Sequence, residues 1–576
     1  MRFRAGTCLL GAVLALALAA PARALSPTVT EFSTGLSSAD DVLDIANGPD
    51  GNLWFADAVT GGALGRVSTS GSITKFSAGL SPGGSPQFVA AGPDGNVWFS
   101  DASGANPAIG RIDPAGTITE FALPSGSVPA GITTGPDGNL WFADQGSPPA
   151  IGRVTPVGAV HEFTSGLNAG ARPRAVAAGP DGNVWFTDQG TSAAIGRITP
   201  GGTIHEFSSG LSLGSVPQSI TNGPDGNVWF TDQGTPNAIG RITPTGAIHE
   251  FTSGLNPGSR PEGITVGPDN ALWFADSGTP PALGRVFANT GDITEVSGGL
   301  RASSVPLGVA PGADGNVWFT DNSASSPAIG RITTPPTATT VAATATGATT
   351  AAILGLVDGH AQPSTFHVEY GAVGGSIAST RGQSLGTTVG PTRVSAALSR
   401  LRPNTAYQAR ILGVNATDTT TGEFVTFRTG PPADRISRFK LRPKVMIAAS
   451  RGGTVRAART PGALISYTGS QPATTTFTVE RKTLGRRAGK NCVKRNRRNR
   501  SHRTCTLYVK VGRFKHKDPA GRVRFRFMGR LHGRTLHVGD YRLIAEPHSA
   551  GGIGRTVHKN FSVKAAPKHK KKHSRT

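Results

Sequence analysis

The chain has 576 residues, including 78 Gly, 42 Pro, 7 Trp, 5 Tyr and 3 Cys, and a formal net charge of +23. That length exceeds one ordinary core and suggests three or four domains at about 150 residues each; the Gly and Pro content is turn-rich without reaching the level of a disordered chain, and three Cys exclude a disulfide-dense scaffold. The charge is segregated: residues 25–334 carry 12 Lys/Arg against 26 Asp/Glu, net −14, whereas residues 431–576 carry 37 against 5, net +32. An acidic body joined to a basic end points to an anionic partner for that end.

At the N-terminus, Arg2 and Arg4 precede an apolar run from Cys8 to Ala20, followed by Pro-Ala-Arg-Ala24. This is the pattern of a secretory signal peptide over residues 1–24, too short to span a membrane as a helix. No later run reaches that length, so the expectation is a secreted protein, or one associated with the cell envelope, without a transmembrane segment. An oxidising compartment then makes a disulfide between Cys492 and Cys505 the natural pairing.

Residues 25–334 hold every Trp, at positions 54, 98, 141, 185, 229, 273 and 318, so the spacing is 43 to 45 residues. The fullest repeat reads Gly-Pro-Asp-Gly-Asn-Val-Trp-Phe-Thr-Asp232, then Ala-Ile-Gly-Arg-Ile242, then Ile-His-Glu-Phe251. Pro-Asp-Gly-Asn makes a hairpin turn. Trp and Phe at successive strand positions demand that both sheet faces be buried. A period of this length with several short strands predicts a β-propeller of seven blades. The orphan strand Val29-Thr-Glu-Phe32 precedes the first Trp, and none follows the last Ile-Gly-Arg-Ile332. Strand 29–33 therefore should latch the ring by completing the last blade. The Asp ending each Trp-Phe strand and the Arg of each Ile-Gly-Arg recur in all seven repeats, so they read as turn caps or bonds between blades.

These repeats resemble the streptogramin B lyase (virginiamycin B lyase) propeller family. The resemblance implies an enzyme that opens a cyclic depsipeptide ester by β-elimination, with a general base and a magnesium ion. It also implies a His after the Pro that opens an innermost strand, a Glu before that Pro and a Glu ending the next strand. Here the residues after that Pro are Gln87, Ala130, Arg174, Gln218, Glu262 and Leu307. None is His, and His161, His205 and His249 fall in outer strands. The intact lyase set is absent, and the expected function is binding of a small ligand at the propeller mouth. Candidates are the residues that break the symmetry: Asp44, Gln87, Arg174, Gln218, Arg260 and Glu262. The alternative is a divergent lyase, or a metal-dependent lactone or ester hydrolase, with Glu262 as base and Asp276 and Asp232 holding Mg2+ or Ca2+.

Thr333-Thr-Pro-Pro-Thr337 reads as a linker. Alternating segments at 351–357, 365–370, 394–398, 406–414 and 423–428 predict a β-sandwich over 335–430. Leu401-Arg-Pro-Asn-Thr-Ala-Tyr407 resembles the tyrosine corner of a fibronectin type III domain; His360 and His367 are expected at its surface. Residues 431–564 predict a basic all-β module with strands at 476–480, 505–511, 521–527 and 541–545. Its Arg522, Arg524 and Arg526 lie on one strand face opposite Phe525 and Phe527. Lys494, Arg495, Arg497, Arg498 and Arg500 fall inside the Cys492–Cys505 loop, and the Lys-rich residues 565–576 read as a disordered tail. The module suits an anionic wall polymer, polysaccharide or lipid headgroup; nucleic acid would bind by counterion release, but export argues against it as the partner.

Overall fold

The computed structural model describes residues 27–59, 61–103, 106–456 and 461–565. The cleavage-site expectation and almost all of the Lys-rich tail lie outside these residues. Among the described residues every regular element is a β-strand, and no helix is long and apolar enough to cross a membrane.

Seven four-stranded antiparallel sheets follow one another from Val29 to Ile332. They form a seven-bladed β-propeller. The strand Val29–Phe32 pairs with Ala328–Ile332, in the register Val29 to Ile332 and Phe32 to Ile329, and so completes blade 7. Each Trp lies in its blade's second strand and is buried. Its indole N–H donates to the Asp of the preceding turn, Gly-Pro-Asp in six blades and Gly-Ala-Asp in blade 7, at 2.9–3.1 Å in all seven. The partner Phe lies over the Gly of the third strand: a Cβ on Gly196 would stand 2.0 Å from Phe186 Cζ. That contact fixes Gly in Ile-Gly-Arg-Ile.

The recurrent Arg joins neighbouring blades, and the recurrent Asp orders its own blade. Arg66, Arg111, Arg153 and Arg197 each donate to a Pro carbonyl one blade on, at 2.8–3.0 Å. Arg331 closes the circle onto the Thr69 carbonyl of blade 1 at 3.2 Å. The Asp that ends each Trp-Phe strand ties together loops of its own blade, as Asp188 does by accepting the N–H of Arg172 in the entering connection and of Gly190 in the loop that follows it.

A β-sandwich follows, with sheets built on Thr337–Ala345, Ala351–Asp358 and Thr392–Leu398 against Pro363–Ala372, Ala406–Val414 and Val425–Arg428. The Tyr407 hydroxyl accepts the Arg402 N–H at 2.9 Å, the bond of a tyrosine corner. Two expectations are corrected here. Thr333–Thr337 is no free linker: Thr334 is fully buried, its hydroxyl donating to the Gly315 carbonyl of blade 7 at 2.7 Å. His360 is not a surface residue but is 2% exposed, with Nδ1 2.7 Å from the same hydroxyl, and burial lowers its pKa. The seam is polar, so it is invisible to a hydrophobic pattern.

The C-terminal module is a second sandwich. One sheet runs Ile436–Arg442, Ala463–Gly469, Gly521–Phe527; the other contains Val557–Lys564, Gly539–Ser549 and the long hairpin Ala473–Ala488 with Thr504–Asp518. Their inner faces share one core that includes Phe439, Tyr467, Phe477, Phe525, Phe527 and Phe561. Cys492 and Cys505 are joined by a disulfide near the tip of the hairpin, with Cα atoms 5.9 Å apart.

Candidate functional site

The innermost strands surround the central channel. Each opens with Pro, or Val42 in blade 1, and a bulge follows at once. In blade 4, Pro173 pairs with Asp188 and Val176 with Phe186, so Arg174 and Ala175 share one opposing residue. A bulge re-aims side chains, and here it turns the residue after Pro toward the axis. The Thr187 hydroxyl fixes it: it accepts the Ala175 N–H at 3.0 Å and donates to the Gln218 carbonyl of blade 5 at 3.3 Å. Thr231 does the same between Ser219 and Glu262.

Five of the symmetry-breaking candidates meet as a result. Asp44, Gln87, Arg174, Gln218 and Glu262 line a channel cavity of about 200 Å³, with Phe88 and Ser219 among its other walls. Arg174 is its positive centre. Burial lowers its pKa, and the nearby Glu262 and Asp44 carboxylates oppose that shift. Its guanidinium lies 5.9 Å from the Phe88 ring centroid, a side chain from blade 2. Asp44 stands deep in the channel, enclosed by protein though in touch with the cavity. Burial pushes its carboxyl up to about 6, against the Val89 N–H it accepts at 3.0 Å and the field of Arg174. Glu262 accepts the Ser277 hydroxyl at 2.9 Å.

The remaining candidates do not line the cavity. The Arg260 side chain is 64% exposed, with Nε 3.5 Å from Glu262 Oε1 and donating to Gln233 Oε1 at 3.2 Å. Asp232 and Asp276 do not reach the channel. They sit one strand outward and accept the backbone N–H groups of Val216 and Arg260 at 2.7 and 2.5 Å. Asp276 is then coupled to Glu295 of its blade's outermost strand, not to Glu262. The three propeller histidines are exposed on outermost strands, as expected. In the channel the Glu262 and Asp44 carboxylates both lie in the field of the Arg174 guanidinium, and among the described residues no three His, Cys, Asp or Glu side chains converge as metal ligands. This donor set does not fit a divalent cation. Reading the residue after Pro alone missed Phe88 and Ser219; the two-residue bulge was the signal that would have found them.

The model of the virginiamycin B lyase family matches residues 25–212 and 168–374. The chain belongs to that family. The match runs past the last blade into the first sandwich, in keeping with the seam at Thr334 and His360. No curated protein matches the chain. Similar solved structures include a Lactobacillus plantarum protein at 16% identity, covering 44% of this chain and 83% of that one with a TM-score of 0.38. A YCF48 protein bound to D1 peptide is 14% identical over 54% of this chain and 99% of its own, TM-score 0.42. An oligogalacturonate lyase from Vibrio parahaemolyticus is 13% identical over 54% and 98%, TM-score 0.37.

In the basic module, Lys494, Arg495, Arg497, Arg498 and Arg500 are all exposed. Asn496 and Asn499 exchange backbone-to-side-chain bonds at 2.7 and 3.0 Å and fold their loop into a compact turn.

Proposed function

We propose that this virginiamycin B lyase family member is a secreted or envelope-associated binding protein without β-eliminating activity. In this reading it presents a small-ligand site in the propeller channel and is held near an anionic surface by its basic C-terminal module. The observation that carries the reading is the placing of Arg174 with Glu262 and Asp44 in one cavity. Elimination needs a base at an acidic C–H and an electrophile at the carbonyl. The Glu262 carboxylate is already held by the Arg260 guanidinium at 3.5 Å and the Ser277 hydroxyl at 2.9 Å, and no His lines the cavity to replace it as base. The same cluster suits a small polar ligand whose acidic group meets Arg174 and whose hydroxyl or ammonium groups meet Glu262 and Gln218. Arg is the fitting residue for a carboxylate or phosphate group. The fibronectin-like sandwich serves as a spacer.

Calorimetric titration of the mature chain with sugar acids, amino acids, Mg2+ and Ca2+ tests this, beside Arg174→Gln and Glu262→Gln. Saturable binding of an acidic ligand, lost in Arg174→Gln, supports the reading. Saturable Mg2+ binding lost in Glu262→Gln, with opening of a cyclic depsipeptide seen by chromatography, replaces it with the lyase.

A further inference from the structure

The three-stranded part of the smaller C-terminal sheet has an outer face with an unusual charge layout. Its middle strand, Ala463–Gly469, turns Ser466 and Thr468 outward. Both flanking strands turn cations outward, in register: Lys440 pairs with Ser466, which pairs with Arg524, and Thr468 pairs with Arg522. The result is a groove of about 210 Å³ whose floor is hydroxyls and whose walls are Arg438, Lys440, Arg522 and Arg524.

Two details set this face apart from an ordinary solvated surface. Residues 431–576 hold only five acids, and none of them serves the groove. Glu480 pairs with Arg542, Glu546 with His548, Asp540 accepts Ser562, Asp434 caps Ser470, and Asp518 takes His516 and the inward Tyr467. Among the described residues no carboxylate pairs with any of the four wall cations. The second detail is a bulge between Ser437 and Lys440, which adds one residue to the edge strand. The added residue is Arg438, at φ 54°. A non-glycine residue there costs on the order of 1 kcal/mol or more, and the distortion places a further cation on the face.

We propose that this groove is the anion-binding surface of the module, and that its ligand is a linear phosphodiester polymer of low sugar content. The proposal rests on the reading of the module as an anionic-surface anchor and names its site and ligand class. The walls stand two strand spacings apart, ~9.5 Å, and cations on one strand face repeat every ~7 Å. Such a slot takes one unbranched chain carrying a charge at about that interval, and is too narrow for a duplex. Arg forks engage phosphate oxygens bidentately, and Ser466 and Thr468 donate from the floor. Readers of single-stranded nucleic acid add aromatic platforms for the bases, and stacking against sugar rings likewise uses exposed aromatics. On this sheet Phe439, Tyr467, Phe525 and Phe527 are all buried inward, none more than 7% exposed. Recognition there is by charge and hydroxyl alone.

The test compares the mature chain with two triple variants that lose equal charge: Lys440→Gln/Arg522→Gln/Arg524→Gln in the groove, and Arg495→Gln/Arg497→Gln/Arg498→Gln in the disulfide loop. All three positions of each are exposed, and an unchanged unfolding temperature checks folding. The probes are poly(glycerol phosphate), polygalacturonate and poly(dT) at about 150 mM salt, where exposed charges are screened beyond ~8 Å. The expected result is poly(glycerol phosphate) binding that weakens at least tenfold in the groove variant and under threefold in the loop variant. Its salt slope should fall by about 2, or ~0.7 per lost contact. Equal or greater loss in the loop variant overturns the groove while leaving the anchor reading intact. Tighter groove-dependent binding of polygalacturonate or poly(dT) overturns the ligand class. A wild-type chain that binds none of the three overturns both.

Discussion

Replacing Glu295 with Gln should stabilise the propeller at alkaline pH and leave it nearly unchanged in acid. Glu295 Oε2 accepts the Asn256 N–H at 2.6 Å, and Asp276 Oδ1 accepts the Arg260 N–H at 2.5 Å. The two carboxyls thus clasp one connecting loop from beneath. Asp276 Oδ2 is buried without a donor, and it faces Glu295, whose pKa is pushed up to about 8 by burial and then by Asp276. Similar pairs occur at Glu206 with Asp188, where the carboxyl rises to about 7, and at Glu120 with Asp101. Two blades answer the repulsion with a cation. Lys75 replaces the Glu in blade 1, 2.6 Å from Asp57, and Arg301 enters blade 7 at 2.9 Å from Asp321 and 3.0 Å from Glu31. In the other blades the pKa of the Glu carboxyl is raised by burial and by the Asp it faces.

The sign follows from linkage. The folded state holds the Glu295 proton to a higher pH than the unfolded chain, whose value is 4.5. The contribution is therefore complete below that value and is lost as pH rises through about 8. At ~1.4 kcal/mol per pH unit the ceiling is near ~5 kcal/mol. The pair is partly open to solvent, which screens the interaction, so roughly 2 kcal/mol is the working magnitude. The Gln amide donates permanently to Asp276 and still accepts Asn256. Glu295→Gln should then match the wild type at pH 5 and exceed it by about 3–5 °C at pH 9. Tryptophan fluorescence reports this transition alone, because all seven Trp lie in the propeller. The same difference between variant and wild type at both pH values would refute the shared proton.

Removing the latch tests ring closure. Phe32 stacks on Trp318 at 5.4 Å, so Phe32→Ala should cost about 2–3 kcal/mol, and deletion of residues 29–32 should cost more; an unmoved fluorescence midpoint would sink the latch. Gly196→Ala places a methyl 2.0 Å from Phe186 Cζ and should destabilise by about 1–3 kcal/mol, read in the same assay, whereas a neutral result would deny that Phe packing selects Gly. In the channel, Asp44 titrates near 6. Its ionisation adds a competitor for Arg174, so affinity for an acidic ligand should fall as pH rises through that value. Asp44→Asn should flatten the profile; a profile unchanged by the substitution would remove Asp44 from the site.

What repeats seven times was legible, because each copy is an independent statement of the same constraint. Trp and Phe on opposite strand faces imply buried blades, the orphan strand 29–32 implies a latch, and recurrent Asp and Arg imply shared bonds. What occurs once was legible only where repeat geometry carried it. The residue after Pro reaches the channel because the bulge repeats, so Gln87, Arg174, Gln218 and Glu262 could be placed from their neighbours' positions. Arg260 precedes that bulge and stays outside the cavity, mostly exposed and touching only Glu262 among the candidates. Asp276 was misplaced for a different reason. Strand alternation gives its face but not its reach, and the Glu295 carboxyl that meets it lies two strands outward in the same sheet. His360 fails on both counts: it belongs to no repeat, and its burial depends on a polar seam between two sheets whose contact no period announces. Symmetry-breaking residues are thus the ones most informative about function and least fixed by pattern, and in this chain the repeat supplied a coordinate frame in which four of them could still be located.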